Sequence, residues 1–468
     1  MGTQGVTPRG AVSSHRYSLA VVRQETDPAV FRRRALVAAA TFLAVVAAGA
    51  VISTLPPPVR APGATAATPV PSGLAAASPT NLASPAPTVT PSATTPPPSL
   101  SILDRTGIQA RLQAVLDRDR AGLAAPGMVA SVLFADGHAW SGTAGVADLA
   151  SGRALTVDTP FAIASISKTF LAAEVMTLVD AGSLRLDESA ARRLPGVLVG
   201  GRALDPQITI RELLDHTSGL RDFLGDRKLG LAVDADRTQV WTPTMALAYA
   251  GKPLAAPGVG YHYANTNYVL LGLLVERLTG RTLAQEYRAR FFAPLGLTSA
   301  FYQAVEPPTA RLPTAYRYKS VRLDAVPVDV TDGSAIRPFT AITTAAGAAG
   351  SVAASAPDLA RWARALYGGD VLAPAGLLAM TSDAATTSIL VPAYPYGLGV
   401  QVYTIDGRLS YGHSGRLVGA RSAMRWFPEA GVAIAVVTNE SRFDPGIVVR
   451  DLLAVVAPRS TWMAVPER

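Results

Sequence analysis

Residues 161–182 read FAIASISKTFLAAEVMTLVDAG, and the rest of the chain is best read outward from them. Helical spacing over residues 165–179 puts Ser165 and Lys168 on one face, a single turn apart. A serine hydroxyl is a poor nucleophile without a base, and an ordinary lysine, with a pKa of about 10.4, is protonated at neutral pH. Burial and the positive end of a helix both disfavour an ammonium, so this position can turn Lys168 into an acceptor for the serine proton. The ordinary alternative is an exposed Ser and Lys on a surface helix. The apolar flanks AIAS and TFLAA argue for burial instead. Lysine is scarce here, with Lys168, Lys228, Lys252 and Lys319 the only ones among 42 basic residues.

Two further clusters could complete a site. Tyr263, Ala264 and Asn265 lie in GYHYANTNYVLLG, expected as a loop just ahead of a Leu-rich helix over residues 268–278, from which a phenol and an amide can project. His413, Ser414 and Gly415 are expected to close a strand, where glycine permits close approach of a bound chain. Each cluster taken alone reads as ordinary packing, a turn or a hairpin end. His216 in LLDHTSGL reads as a structural turn residue, since the segment is a helix end with Gly219 as its cap.

Strand signals sit at both ends of the folded region. Residues 128–134 and 138–146 flank an Asp136-Gly137 turn, and residues 408–411, 420–427 and 432–438 are separated by Gly415, Gly419 and a Pro428-Glu429-Ala430-Gly431 turn. One antiparallel sheet formed by the first and last thirds is the expected result. Between them come helical segments: residues 108–123 lead in, Thr209-Ile210-Arg211-Glu212 is a capping box, and Ser355, Pro357 and Asp358 open a helix ending near Gly368. The fold class is α+β, with an inserted helical subdomain.

With these pieces assembled, the chain resembles the serine β-lactamase and penicillin-binding protein superfamily. The resemblance is to the branch of class C β-lactamases, D-alanyl-D-alanine carboxypeptidases and related esterases, and runs from about residue 108 to 456. Beyond SISK, YAN and HSG it is carried by LVDAGSLRLDESAARRLP, ITIRELLDHTSGL, APLGL and AAGSVAASAPDLARWARAL. It implies a β-lactamase/transpeptidase-like fold, an antiparallel sheet flanked by helices. It also implies that Ser165 forms an acyl-enzyme, that Lys168 and Tyr263 move the protons, and that Asn265 binds the substrate amide. His413, Ser414 and Gly415 would line the opposite wall, with the backbone amides of Ser165 and Arg416 as oxyanion donors.

Departures bear on substrate. His413 stands where class C β-lactamases usually carry lysine, which slightly favours a peptidase. Arg416 follows the motif where such peptidases tend to have a small hydroxyl residue, so Arg416 or Arg421 becomes the candidate for a substrate carboxylate. The reading is a D-alanyl-D-alanine carboxypeptidase-like hydrolase of cell-wall peptides. A β-lactamase or carboxylesterase, and a catalytically silent penicillin-binding or sensor domain, stay open as alternatives. The expected partner is therefore a small molecule or peptide: a cell-wall D-alanyl peptide, a β-lactam or an ester.

Composition fits this picture. Of 468 residues 49% are hydrophobic and 16% charged, enough for a large core. There is no cysteine, which excludes disulfides, thiolate metal sites and cysteine nucleophiles. The net charge is +8, but six arginines against Glu25 and Asp27 put +4 in residues 1–34 and Arg60 adds one, leaving +3 for residues 101–468. Nucleic acid is not implied. His15, His138 and His262 have no ligand spacing, so neither metal nor cofactor is expected.

Upstream, residues 1–34 form a basic tail, followed by an uncharged run at 35–55, about 31 Å long as a helix. Arg32, Arg33 and Arg34 predict a single-pass anchor with the N-terminus in the cytoplasm and the remainder outside. A cleaved signal peptide, giving a secreted protein, is the alternative. Residues 56–100 are a Pro/Ala/Thr-rich linker that could extend to about 140 Å. The hydrolase domain is expected at 101–458, with a tail at 459–468.

Overall fold

The computed structural model describes residues 102–458, apart from Val321, residues 383–384 and residues 388–393. The expected anchor at 35–55, the linker and the C-terminal tail lie outside the described residues. Within them, no helix is long and apolar enough to cross a membrane.

The chain opens with helix α1 (Ile102–Gly122) and the hairpin β1 (Gly127–Leu133) and β2 (Ala139–Gly145). Late in the chain come β3 (Ala385–Thr386), β4 (Pro395–Tyr396), β5 (Gln401–Ile405), β6 (Arg408–Leu417), β7 (Ala420–Phe427) and β8 (Val432–Thr438). Together they form one eight-stranded sheet in the order β3-β4-β5-β6-β7-β8-β1-β2, antiparallel throughout. The pairing of β8 with β1 joins the two ends of the domain, as the strand signals required.

Every residue of β1 and β8 is buried, because both faces of the sheet are covered. Alternate residues serve the two sides. Met128, Ala130 and Val132 pack with Leu112 and Leu116 of α1 and with Val448 and Leu452 of the C-terminal helix Gly446–Val456. Val129 and Leu133 face a larger core shared with helices α2 (Ser167–Asp180), α3 (Asn265–Thr279) and α4 (Ala356–Gly368). There Phe170 of α2 stacks on Trp362 of α4 at 4.1 Å, and the Trp362 indole donates to Thr169 Oγ1 at 2.8 Å. These contacts fix the helix that carries Lys168.

Local signals behave largely as expected. The Thr209–Glu212 capping box is complete, Ser355 caps α4, and Gly280 (φ +68°) ends α3 in the left-handed conformation. Other boundaries differ. The helix begun by Thr209 stops at Leu214, and the left-handed residue that follows is His216 (φ +65°), with Gly219 (φ +71°) in a later turn. The first hairpin has a five-residue connection, closed by a 2.8 Å bond from Phe134 N to His138 O. The largest change concerns β6, which does not end at Tyr411 or break at Gly415 but runs on to Leu417. A Cβ on Gly415 would lie 2.1 Å from the carbonyl oxygen of Ile163, so glycine is there for close approach between strand and turn.

Candidate active site

The turn beneath Gly415 is the one that presents Ser165. Residues Ala164–Ile166 form a 3₁₀ turn and α2 proper begins at Ser167, so Ser165 sits two residues before the regular helix, whose expected start is residue 165. Ala164 is left-handed (φ +49°), a conformation that a non-glycine residue holds only when its surroundings impose it. The neighbours do so from both sides: Ser422 Oγ donates to Ile163 O at 2.8 Å, and Ile163 N donates to Val352 O at 3.1 Å.

Lys168 is fully buried. Its Nζ lies 2.8 Å from Asn265 Oδ1, 2.8 Å from Ala349 O and 3.1 Å from Ser165 Oγ. Two of these partners can only accept. A neutral amine has two N–H groups and one lone pair, so the amide and carbonyl oxygens take both hydrogens and the lone pair is left for the Ser165 hydroxyl. Burial pushes the Lys168 pKa down to about 7, against the Asp222 carboxylate, which pulls it up. A deprotonated amine is thus available at neutral pH.

Tyr263 donates from its hydroxyl to Ser165 Oγ at 2.9 Å. Burial raises this phenol far above its usual range, so it keeps its proton and acts as a donor. Its ring packs on His216 at 4.2 Å between centroids. His216 is a turn residue, and it also braces the Tyr263–Asn265 segment. Its Nδ1 accepts from Ala264 N at 3.2 Å, and its carbonyl accepts from His262 N at 2.8 Å. Burial keeps the ring neutral.

Asn265 is the first residue of α3 rather than part of the loop. Asp222 fixes its orientation, taking Asn265 Nδ2 on both carboxylate oxygens at 3.1 Å and the backbone N–H at 3.0 Å. The amide oxygen must then point at Lys168. Replacing Asp222 with asparagine removes the negative charge that favours the Lys168 ammonium. The midpoint of the acid limb of the pH–rate profile for Ser165 acylation should then fall below about 7. Stopped-flow acylation at pH 5–9 checks this; an unchanged or raised midpoint contradicts it.

The opposite wall comes from β6. His413 is buried, its Nδ1 donates to Ser414 O at 2.6 Å, and its Nε2 accepts from the Tyr396 hydroxyl at 2.9 Å. Burial lowers its pKa to about 3, so the ring is neutral and offers no positive charge to a substrate. It lines the cleft as a neutral ring and not as a cation. Ser414 is held by Gln401, which accepts from Ser414 N at 3.1 Å and donates to Ser414 Oγ at 3.2 Å. Gln401 is in turn bound by the buried guanidinium of Arg425, which stacks on Tyr403 at 3.8 Å. Arg416 is exposed and Arg421 half-buried. Ser165, Tyr263, Asn265, Ser414, Arg416 and Arg421 all line one cleft of about 410 Å³. Asp222, Ala349, Tyr396, Gln401 and Arg425 join the site without belonging to any of the three sequence clusters. For Asp222 the one usable signal is its place in HTSGLRDF, downstream of the capping box.

An antiparallel sheet, a buried Lys168 on a helix beneath it, Ser165 in the turn that leads into that helix and a phenol on the serine hydroxyl define a serine hydrolase of the β-lactamase fold. Residues 112–457 match the family model described as Beta-lactamase, and the chain belongs to that family. It is 33% identical over 332 residues to penicillin-binding protein 4 of Amycolatopsis lactamdurans, covering 67% of this chain and 81% of that protein. To esterase EstB of Burkholderia gladioli it is 34% identical over 226 residues, covering 46% of this chain and only 57% of the esterase. A D-stereospecific amidohydrolase from Streptomyces sp. superposes with a TM-score of 0.62 at 29% identity, covering 74% of this chain and 98% of that one.

Proposed function

We propose that this chain is a membrane-anchored, extracytoplasmic acyl-enzyme hydrolase that acts as a carboxypeptidase on peptides ending in D-alanine. The observation that carries the reading is the placement of Lys168, whose two N–H groups have fixed acceptors while its lone pair meets the Ser165 hydroxyl. As Oγ bonds to the substrate carbonyl carbon, its proton passes to Lys168 Nζ and the carbonyl electrons move to oxygen. The backbone amides of Ser165 and Arg416 receive that oxyanion. Its collapse breaks the C–N bond, the leaving amine takes the Tyr263 hydroxyl proton, and the phenolate so formed recovers a proton from the Lys168 ammonium, whose Nζ lies 5.1 Å from the Tyr263 ring centroid. Water then hydrolyses the ester by the same path in reverse.

Peptide substrates are favoured over simple esters by Arg416 and Arg421, which supply at the cleft the positive charge that neutral His413 cannot. D-stereochemistry is supported by the likeness to the D-stereospecific amidohydrolase. The decisive comparison sets a peptide ending in D-Ala-D-Ala beside a chromogenic cephalosporin and a short-chain ester. Release of D-alanine is expected; turnover of the cephalosporin or ester with the peptide untouched overturns the carboxypeptidase assignment. Arg416→Ala combined with Arg421→Ala should lower kcat/KM for the peptide at least about tenfold relative to the ester, consistent with loss of a charged contact. Equal retention of both activities removes the carboxylate role. The anchor rests on the uncharged run at 35–55 and its basic flank. An N-terminal tag should stay on the membrane-bound protein, and a mature N-terminus near residue 60 contradicts anchoring.

A further inference from the structure

Next to the cleft lies a second, larger cavity of about 790 Å³, and Leu224, Asn265, Arg416 and Leu417 line both. The two spaces are therefore neighbours across the Arg416 wall. The combined volume far exceeds what a single alanine leaving group needs, so the second cavity faces some other part of a substrate.

The far wall is built on a short strand, Tyr316–Tyr318, and it is firmly held. Tyr316 N donates to Asn439 O at 2.9 Å, and the Tyr316 hydroxyl accepts from Leu149 N at 2.7 Å. Arg442 stacks on the Tyr318 ring at 3.7 Å, and its N–H groups go to Arg322 O at 2.7 Å and Leu123 O at 3.0 Å. Arg442 thus serves the wall itself. Arg317 and Lys319 differ: both are exposed at the cavity, and among the described residues neither they nor Arg416 lie within ion-pair distance of a carboxylate. The single acidic residue lining the cavity is Asp222, and Asn265 already occupies both of its oxygens. Three cations on a fixed concave surface, without a counter-charge of their own, make a positive well that attracts anions.

We propose that this cavity is a distal subsite for a carboxylate, held by Arg317 and Lys319, on the part of the substrate remote from the scissile bond. The preferred substrates are then acidic peptides carrying a side-chain carboxylate upstream of the bond that is cut, in addition to any terminal carboxylate at Arg416. This inference rests on the acyl-enzyme reading for its direction, since the subsite is defined relative to Ser165.

The test uses the full-length protein and two peptides ending in D-Ala-D-Ala that differ only in an upstream carboxylate or its carboxamide. Wild type should prefer the carboxylate at least about tenfold in kcat/KM, with the preference shrinking as salt is raised. Arg317→Ala with Lys319→Ala should bring the ratio close to one, and Lys319→Glu should turn it toward the carboxamide. A wild-type ratio of one, or a ratio that survives both variants, overturns the subsite. Calorimetric binding of the same peptides to Ser165→Ala separates the two ideas. A carboxylate preference in binding without turnover by wild type refutes the acyl-enzyme reading and upholds the subsite. Turnover of both peptides with equal affinity refutes the subsite alone.

Discussion

Lys168→Ala is expected to slow acylation of Ser165 by roughly 10³-fold, the usual scale for loss of a positioned general base. Lys168→Arg should be as severe. A guanidinium cannot give up its proton at any accessible pH, so it preserves the charge while abolishing the lone pair. The pair of variants therefore separates two roles for the same side chain. If arginine restored acylation, Lys168 would act as a fixed positive charge; if both variants fail alike, it acts as a base. Single-turnover kinetics with a chromogenic acyl donor reads the difference directly. Stability adds a second signature. The folded amine titrates near 7, well below its unfolded value of 10.5. Between those values the unfolded chain binds the extra proton, so the Lys168 contribution to stability rises with pH across that window and is flat below it. Thermal unfolding of wild type relative to Lys168→Met from pH 7 to pH 10 should show that rise.

Gly415→Ala is the second large effect, and it works through space alone. Gly415 is not among the positive-φ glycines, so alanine suits its backbone. Its Cβ would nonetheless lie 2.1 Å from Ile163 O, 2.3 Å from Ser422 Oγ and 3.1 Å from Ala164 Cβ. Strand β6 has to move off the turn that holds Ser165, at a cost of about 1–3 kcal/mol for overpacking. A shift of that kind between the two walls of the cleft should lower kcat by about 10²-fold. Gly230 provides the control. It lies in the helix Arg227–Ala235, where a Cβ would meet no atom within 4 Å, so Gly230→Ala should be neutral or slightly stabilising. Equal, small effects at both positions would mean that the contact between β6 and the Ser165 turn does not matter.

Much of this is legible from the chain because local patterns carry it. The continuous apolar runs of β1 and β8, the Thr209–Glu212 box and the Ser355 cap each announce an element without reference to the rest. Ser165 and Lys168 are one turn apart, so their pairing is also a local property. Other parts depend on tertiary contact. Ala349 enters the site through its carbonyl, which no residue type can signal. Asp222 reaches Asn265 from 43 positions away, and Arg425 of β7 reaches Gln401 of β5 over the intervening strand β6. His413 lies in the expected motif, yet its neutrality follows from burial against Tyr396, and sequence spacing does not encode burial. The motif leads one to expect Asn265 to face the substrate amide. Asn265 lines the cleft, and with Asp222 on its Nδ2 and Lys168 on its Oδ1 it is also the link that aims the amine. A glycine such as Gly415 often breaks a strand, whereas here its missing side chain lets the strand continue over the Ser165 turn.

Intact-mass spectrometry of the protein, quenched at short times after mixing with a reactive acyl donor between pH 5 and pH 9, addresses the base and the nucleophile together. One acyl group should appear on Ser165, none on Ser165→Ala, and the rate should climb with a single proton dissociation centred near 7. An adduct on another residue, or a rate that stays flat across this range, contradicts a neutral Lys168 as the base for Ser165.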